Sequence, residues 1–313
     1  MINPIQPMFM EPIFKETVWG GTKIRSVFGK EIPSEHTGES WEAAAHANGQ
    51  SRIRSGYMAG MTLQEAVTEA PEAVMGTEVT AKFGTHFPLL IKIIDANDNL
   101  SVQVHPNDEM AHRLEGPQED GKTEMWVVLE AKPGARLIYG FRQDVTAEEF
   151  AATIEEQRLD ELVNWIPVKK GDTFFIPAGT LHAIGAGILI AEIQQNSDTT
   201  YRVYDFGRLG LDGKPRELHT EKAKQVTDLS SSLGKEFSDI DAGVCCDFFK
   251  TYRRVLSGQT EIEVDPAHFQ ILMVLEGSGQ INGAPFQMGD TILLPAAMGA
   301  ACLEGEAVYL QVM

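Results

Sequence analysis

Four side chains whose types suit one cation recur at strand-like positions of this 313-residue chain: Gln103, His105, Glu124 and His182. Gln103 and His105 are two apart in LSVQVHPND, so on a strand they share a face, and Pro106 ends that strand. Glu124 opens the apolar run EMWVVLEA, and His182 closes the stretch GDTFFIPAGTLH. Two imidazoles, a carboxylate and an amide oxygen suit a borderline divalent ion such as zinc, with a position left for water or a ligand. A lone strand histidine is more often a packed or solvent-facing residue, so the combination carries the expectation. His36, His46, His86, His112, His219 and His268 have no comparable setting.

Three cationic side chains lie close to this set in sequence: Lys92, inside the apolar run PLLIKIIDA, Lys122, two residues before Glu124, and Arg202 in TTYRVYDFGR. Singly, each reads equally well as a solvated rim charge. Together, on a chain of formal net charge −19, they form the local cluster an anionic ligand such as a phosphorylated small molecule requires. Glu192, in GILIAEIQQ, is either an ion-pair partner for one of them or a proton carrier.

Strands and tight turns must position these groups. Gly171-Asp172 is a turn dipeptide, Thr173 to Ile176 a β-branched and aromatic strand, and Pro177-Ala178-Gly179 a second turn. The spacing resembles the second signature of the cupin superfamily. Two helical segments interrupt the strands, at about 58–76 and 144–163. Thr62 with Glu65 and Thr146 with Glu149 form candidate capping boxes, and Pro71 divides the first segment. GDTILLPAAMGA, from Gly289, repeats GDTFFIPAGTLH, from Gly171, at an offset of 118 residues. In this second copy Ala300 replaces His182, and at a separate offset Gln270 replaces Glu124. The polar set survives in one copy only, which favours a chemical role there. The expected fold is mainly β with added helices: two cupin-like jelly-roll barrels, a metal-binding unit over 1–233 and a degenerate one over 234–313.

A hydrophobic content of 43% with 23% charged residues is that of an ordinary globular protein. The acidity argues against nucleic acid or an anionic membrane as partner. The first fourteen residues lack the basic start and unbroken apolar run of a signal peptide, and no window is long enough for a membrane span. Cys245, Cys246 and Cys302 are odd in number with two adjacent, which suits buried filler in a reducing cytoplasm better than a disulfide framework.

Taken in order, VWGG, IKIIDANDNLSVQVHPND, KTEMW, PAGTLHAIG and IQQNSDTTYRVYDFGR resemble the type I mannose-6-phosphate isomerases in their short bacterial form. That resemblance implies one zinc ion held by Gln103, His105, Glu124 and His182, a catalytic Arg202, and a substrate pocket lined by Lys92, Lys122 and Glu192. The implied substrate is a phosphorylated hexose and the implied reaction the interconversion of mannose 6-phosphate and fructose 6-phosphate through an enediolate. The proton-transferring base stays open among Glu192, a neutral lysine and a zinc-bound water, and the assembly between monomer and homodimer. The chain lacks the large helical insertion of longer family members. Other cupin chemistries compatible with the residues are an iron-dependent dioxygenase and a non-catalytic sugar-phosphate-binding bicupin.

Overall fold

The computed structural model describes residues 5–313; the first four residues, which begin the stretch read for a targeting signal, lie outside the described residues. Its core is built from three stacked antiparallel sheets. The central sheet has six strands in the order Thr173–Ile176, Glu124–Ala131, Ile188–Gln195, Leu89–Ala96, Thr37–Ala43 and Ile13–Gly21. Leu89–Ala96 and Ile188–Gln195 are buried at every position, and their sequences are accordingly apolar runs rather than alternations.

Each face of that sheet meets a different neighbour. Ile94, Trp126, Val128, Ile188 and Ile190 pack with Leu137, Tyr139 and Ile184 of a five-stranded sheet, ordered Val163–Pro167, Arg136–Phe141, His182–Ala183, Val102–Val104 and Tyr201–Tyr204. The intervening residues Ile91, Ile93, Val127, Leu189, Ala191 and Ile193 pack with Ile271, Met273, Leu293 and Leu310 of the C-terminal sheet. Because strand residues alternate faces, Lys92, Glu124, Trp126 and Glu192 share parity with Ile94, Val128 and Ile190 and so point toward the five-stranded sheet.

The internal repeat is visible in the elements. Thr291–Leu294 is a strand, as is Thr173–Ile176, and the glycine two residues before each strand has φ 91°, a conformation glycine adopts without strain. Ala300 and Gln270 each begin a strand, as His182 and Glu124 do. The sheet that carries Gln270, however, is completed by Met8–Glu11 and Arg52–Ser55. That sheet therefore draws strands from both sides of residue 233.

Of the two helical segments, the first starts at Leu63 with both hydrogen bonds of the Thr62–Glu65 capping box in place. It breaks at Pro71, as its sequence requires, and resumes as Pro71–Met75. A further helix, Thr77–Phe83, buries none of its residues, so it shows no apolar stripe in the sequence. The second segment is shorter than its pattern: Ala147–Glu155 ends before Gln157, which has a left-handed φ of 55°, and a strand begins at Val163. Thr146 caps it by accepting from the Glu149 N–H. Among the described residues no helix is long and apolar enough to cross a membrane.

One buried ion pair ties the central and C-terminal sheets. Glu42, fully buried, accepts from Lys30 Nζ at 2.9 Å, Ser40 Oγ at 2.6 Å and Thr291 Oγ1 at 3.1 Å, while Lys30 Nζ also donates to the Gly289 carbonyl at 2.7 Å. Removing one partner of such a pair strands a charge in the interior. Lys30→Met is expected to lower the unfolding free energy by about 3 kcal/mol, read as a lower urea midpoint with an unchanged slope.

Candidate metal centre and cavity

His105, just past the strand Val102–Val104, converges with Glu124 and His182, each the first residue of a strand, and one ligand atom from each lies within 4.8 Å of the others. His105 Nε2 is 3.3 Å from Glu124 Oε1, and His182 Nε2 is 3.7 Å from Glu124 Oε2. All three side chains are buried. Register explains the convergence: in the five-stranded sheet Gln103 stands directly opposite His182 on one side and Arg202 on the other. In the central sheet Glu192 stands between Lys92 and Trp126.

Backbone carbonyls fix both imidazoles. His105 Nδ1 donates to the Thr199 carbonyl at 2.9 Å and His182 Nδ1 to the Thr180 carbonyl at 2.8 Å. A carbonyl only accepts, so each ring carries its proton on Nδ1 and turns the Nε2 lone pair inward, as metal-binding histidines ordinarily do when their other nitrogen is held by a carbonyl. Burial, joined by the Lys122 charge, lowers the His105 proton affinity to about 3, and burial lowers that of His182. The Glu124 carboxyl is held well below its usual range: burial opposes this, but the neighbouring Lys122 charge outweighs it.

Such an arrangement fits a cation. Among the described residues, His105 Nε2 and both Glu124 oxygens are buried without a hydrogen-bond partner, although Lys122 Nζ lies 3.0 Å from Glu124 Oε1. Buried polar atoms are ordinarily satisfied, and two inward lone pairs beside a carboxylate have no donor among themselves. In the repeat, Gln270 at the Glu124 position is satisfied, donating to the Glu263 carbonyl at 2.8 Å and accepting from Gln311 at 2.8 Å. Gln103 differs from its expected role: its amide nitrogen, not its oxygen, faces His182 Nε2 at 3.4 Å, while its oxygen lies 3.4 Å from Ser101 Oγ.

A cavity of about 310 Å³ adjoins the trio and is lined by Gln103, Lys92, Lys122, Glu192 and Arg202. All eight residues expected to form the site are thus gathered at the trio or on the wall beside it. Two larger clefts, of about 630 and 550 Å³, contain none of the eight. Lys92, buried, lies 3.5 Å from Glu39 and 3.4 Å from Glu192. Burial works against its charge, yet the carboxylates of Glu39, Glu192 and Asp198 more than offset this and raise its proton affinity. Glu192 accepts from Trp126 Nε1 at 2.8 Å, and burial, reinforced by the Glu124 charge, pushes its carboxyl up to about 7.

The cavity also has residues that motif reading passed over. Arg216, Asp198, Glu39 and Ser101 line it. Arg202 donates to Ser101 Oγ at 3.3 Å and to the Glu217 carbonyl at 2.9 Å. Asp205 holds Arg208 at 2.8 Å and accepts from Arg216 Nε at 2.7 Å. Burial and the neighbouring Arg216 both lower the proton affinity of Arg202, as expected of guanidinium groups gathered around a single carboxylate. Trp19 is buried in the core between the sheets and also reaches the cavity wall.

The sheets, the inward imidazoles and the cavity together define a cupin-fold protein with a buried two-histidine, one-carboxylate cluster of the kind that could hold a metal ion. Residues 8–130 match the model of phosphomannose isomerase type I, catalytic domain. The chain is 43% identical to mannose-6-phosphate isomerase ManA of Bacillus subtilis (strain 168), over 96% of this chain and 97% of that one. It is 38% identical to the mannose-6-phosphate isomerase of Streptococcus mutans serotype c (strain ATCC 700610 / UA159), over 96% of each. The crystal structure of the mannose 6-phosphate isomerase from Bacillus subtilis superposes with a TM-score of 0.89 at 36% identity, covering 98% of this chain and 99% of that one. The chain belongs to the type I mannose-6-phosphate isomerase family.

The neutral His105 has a consequence for the metal-free protein. Unfolding returns the ring to its ordinary value of 6.5, so between 6.5 and about 3 the unfolded chain binds a proton that the native one does not. The unfolding free energy of chelator-treated protein is expected to fall as pH drops through that window. A His105→Asn variant should show a shallower decline in urea titrations over the same range.

Proposed function

We propose that this chain is a zinc-dependent isomerase that interconverts mannose 6-phosphate and fructose 6-phosphate, one zinc per chain. The observation that carries the reading is the buried trio of His105, Glu124 and His182, with unpartnered ligand atoms beside a cavity that gathers Arg202, Arg216, Lys92 and Lys122. Two neutral imidazoles and a carboxylate suit zinc, and a half-turn of the Gln103 amide would present its oxygen as a fourth donor. When bound, zinc supplies Lewis-acid stabilisation of negative charge developing on the sugar oxygens.

The chain's own residues account for the remaining demands. Arg202 lies on the cavity wall with its guanidinium oriented by Ser101 and the Glu217 carbonyl, where it can share the charge of an enediolate. Glu192, with a carboxyl that both takes up and releases a proton near neutrality, is suited to carry the proton between C2 and C1. Lys92 and Lys122, both buried, offer donors to sugar oxygens without the cost of recruiting them from solvent. The arginines around Asp205 supply surplus positive charge for a phosphate dianion, whose binding energy holds the reacting carbons in place. The three free cysteines accord with a reducing cytoplasm.

A two-histidine, one-carboxylate set also occurs at iron oxygenase sites, and metal analysis separates the two readings. Purified protein is expected to contain zinc and to convert mannose 6-phosphate in a coupled assay, losing activity with chelator and regaining it with zinc. His182→Ala should lose both metal and turnover. Arg202→Ala should retain zinc while turnover falls by about 10²–10³-fold, and Glu192→Gln should behave likewise. Iron in the purified protein, or no turnover of mannose 6-phosphate by zinc-loaded protein, would overturn the assignment.

A further inference from the structure

Gln103 belongs to one sheet, with His105 just past the end of its strand, and Glu124 belongs to the other; the chain between them is the loop and short helix of residues 106–123. Nothing in a sheet ladder fixes the distance across such a connection. The strand Ile188–Gln195 ends beside it, and its last residue is a buried glutamine. Gln195 Oε1 accepts from the Thr123 N–H at 2.9 Å, its backbone N–H donates to the Thr123 carbonyl at 3.2 Å, and its Nε2 donates to Asp108 Oδ1 at 2.8 Å. Asp108 Oδ1 also accepts from the Gly121 N–H at 2.8 Å, and the Lys122 N–H donates to the Pro106 carbonyl at 2.9 Å. One amide thus grips the residue before Glu124 and the segment three residues after His105.

We infer that Gln195 is a positioning residue for the metal trio, clasping the connection between the His105 strand and the Glu124 strand so that the two ligands are set before an ion arrives. Its neighbour Gln194 supports the same end: Gln194 Nε2 donates to the Gln195 and Ser197 carbonyls, both at 2.7 Å. This shapes the turn that presents the Thr199 carbonyl to His105. Two adjacent amides thereby serve both sides of the site, one through the loop and one through the ring tautomer. The inference rests on the metal-site reading and is independent of the substrate.

The chemistry of the clasp is directional. An amide accepts from Thr123 with one end and donates to Asp108 with the other; a carboxylate of the same shape keeps the first contact and sets two negative oxygens together at the second. Zinc affinity of the metal-stripped full chain, measured by competition with a chromophoric chelator, is expected to fall about 10–100-fold in Gln195→Glu. Adding Asp108→Asn removes one of the two charges, but its amide can serve only one of the two contacts Asp108 Oδ1 makes, so affinity is expected to recover in part, by about threefold or more over Gln195→Glu. Gln195→Met removes both side-chain hydrogen bonds without adding charge, and is expected to weaken zinc similarly while the metal-free melting midpoint stays within a few degrees. Zinc bound by Gln195→Glu and Gln195→Met as tightly as by the parent overturns the inference. So does a double variant as weak as Gln195→Glu. Zinc is read directly, so a chain that fails to turn over mannose 6-phosphate still gives a decisive result here.

Discussion

The carboxylate of Glu124 sets the terms for the rest of the structure. It is buried, ionised and without a hydrogen-bond donor in bonding geometry, a state that is costly unless compensating charge is close. Lys122 supplies part of that compensation, and two imidazoles with inward lone pairs supply none. The two matching positions in the repeat carry no such burden: Gln270 is bonded to the Glu263 carbonyl and to Gln311, and Ala300 has no polar side chain. Two closely related strand patterns thus diverge at their electrostatics rather than at their backbones.

Charge around this point is arranged in layers. Across the central sheet Lys92 is paired to Glu39 and Glu192, and Glu192 is bonded to Trp126. Trp126 in turn meets His182 edge-on, ring centroids 5.2 Å apart. Trp41 repeats the device on the other side, donating to Glu39 at 2.6 Å beneath the Lys92 ammonium. Indole N–H groups therefore hold both carboxylates that flank Lys92, and the apolar rings exclude water around the pair. A chain of net charge −19 can in this way present a locally cationic cavity, because the opposing carboxylates are already engaged.

Much of this was legible in the sequence for physical reasons. Glycine, proline and β-branched runs punctuate GDTFFIPAGTLH so sharply that the strand Thr173–Ile176 and the start of the next at His182 fall where spacing puts them. Alternation placed Gln103 and His105 on one face, and the repeat located Thr291–Leu294. Less was visible where contacts are made by loops. Arg216 and Asp205 sit in a stretch with no period, and Gln195 reads as an ordinary polar strand end because an amide carries no signature of the bonds it makes. The helix Asp108–Leu114 did have a signal: Asn107 caps it by accepting from the Met110 N–H. The orientation of the Gln103 amide is beyond sequence altogether, since either end of the group has the same shape.

Met8–Glu11 lies against Thr291–Leu294, with Met8 opposite Leu293. During synthesis that first apolar segment, with Met8, Phe9 and Met10 all destined for burial, leaves the ribosome long before its partner exists. At about 5–20 residues per second it waits on the order of tens of seconds for that partner, with Arg52–Ser55 as its earlier neighbour. Closure of that sheet thereby joins two segments far apart in sequence, and loss of either leaves the edge of the other open.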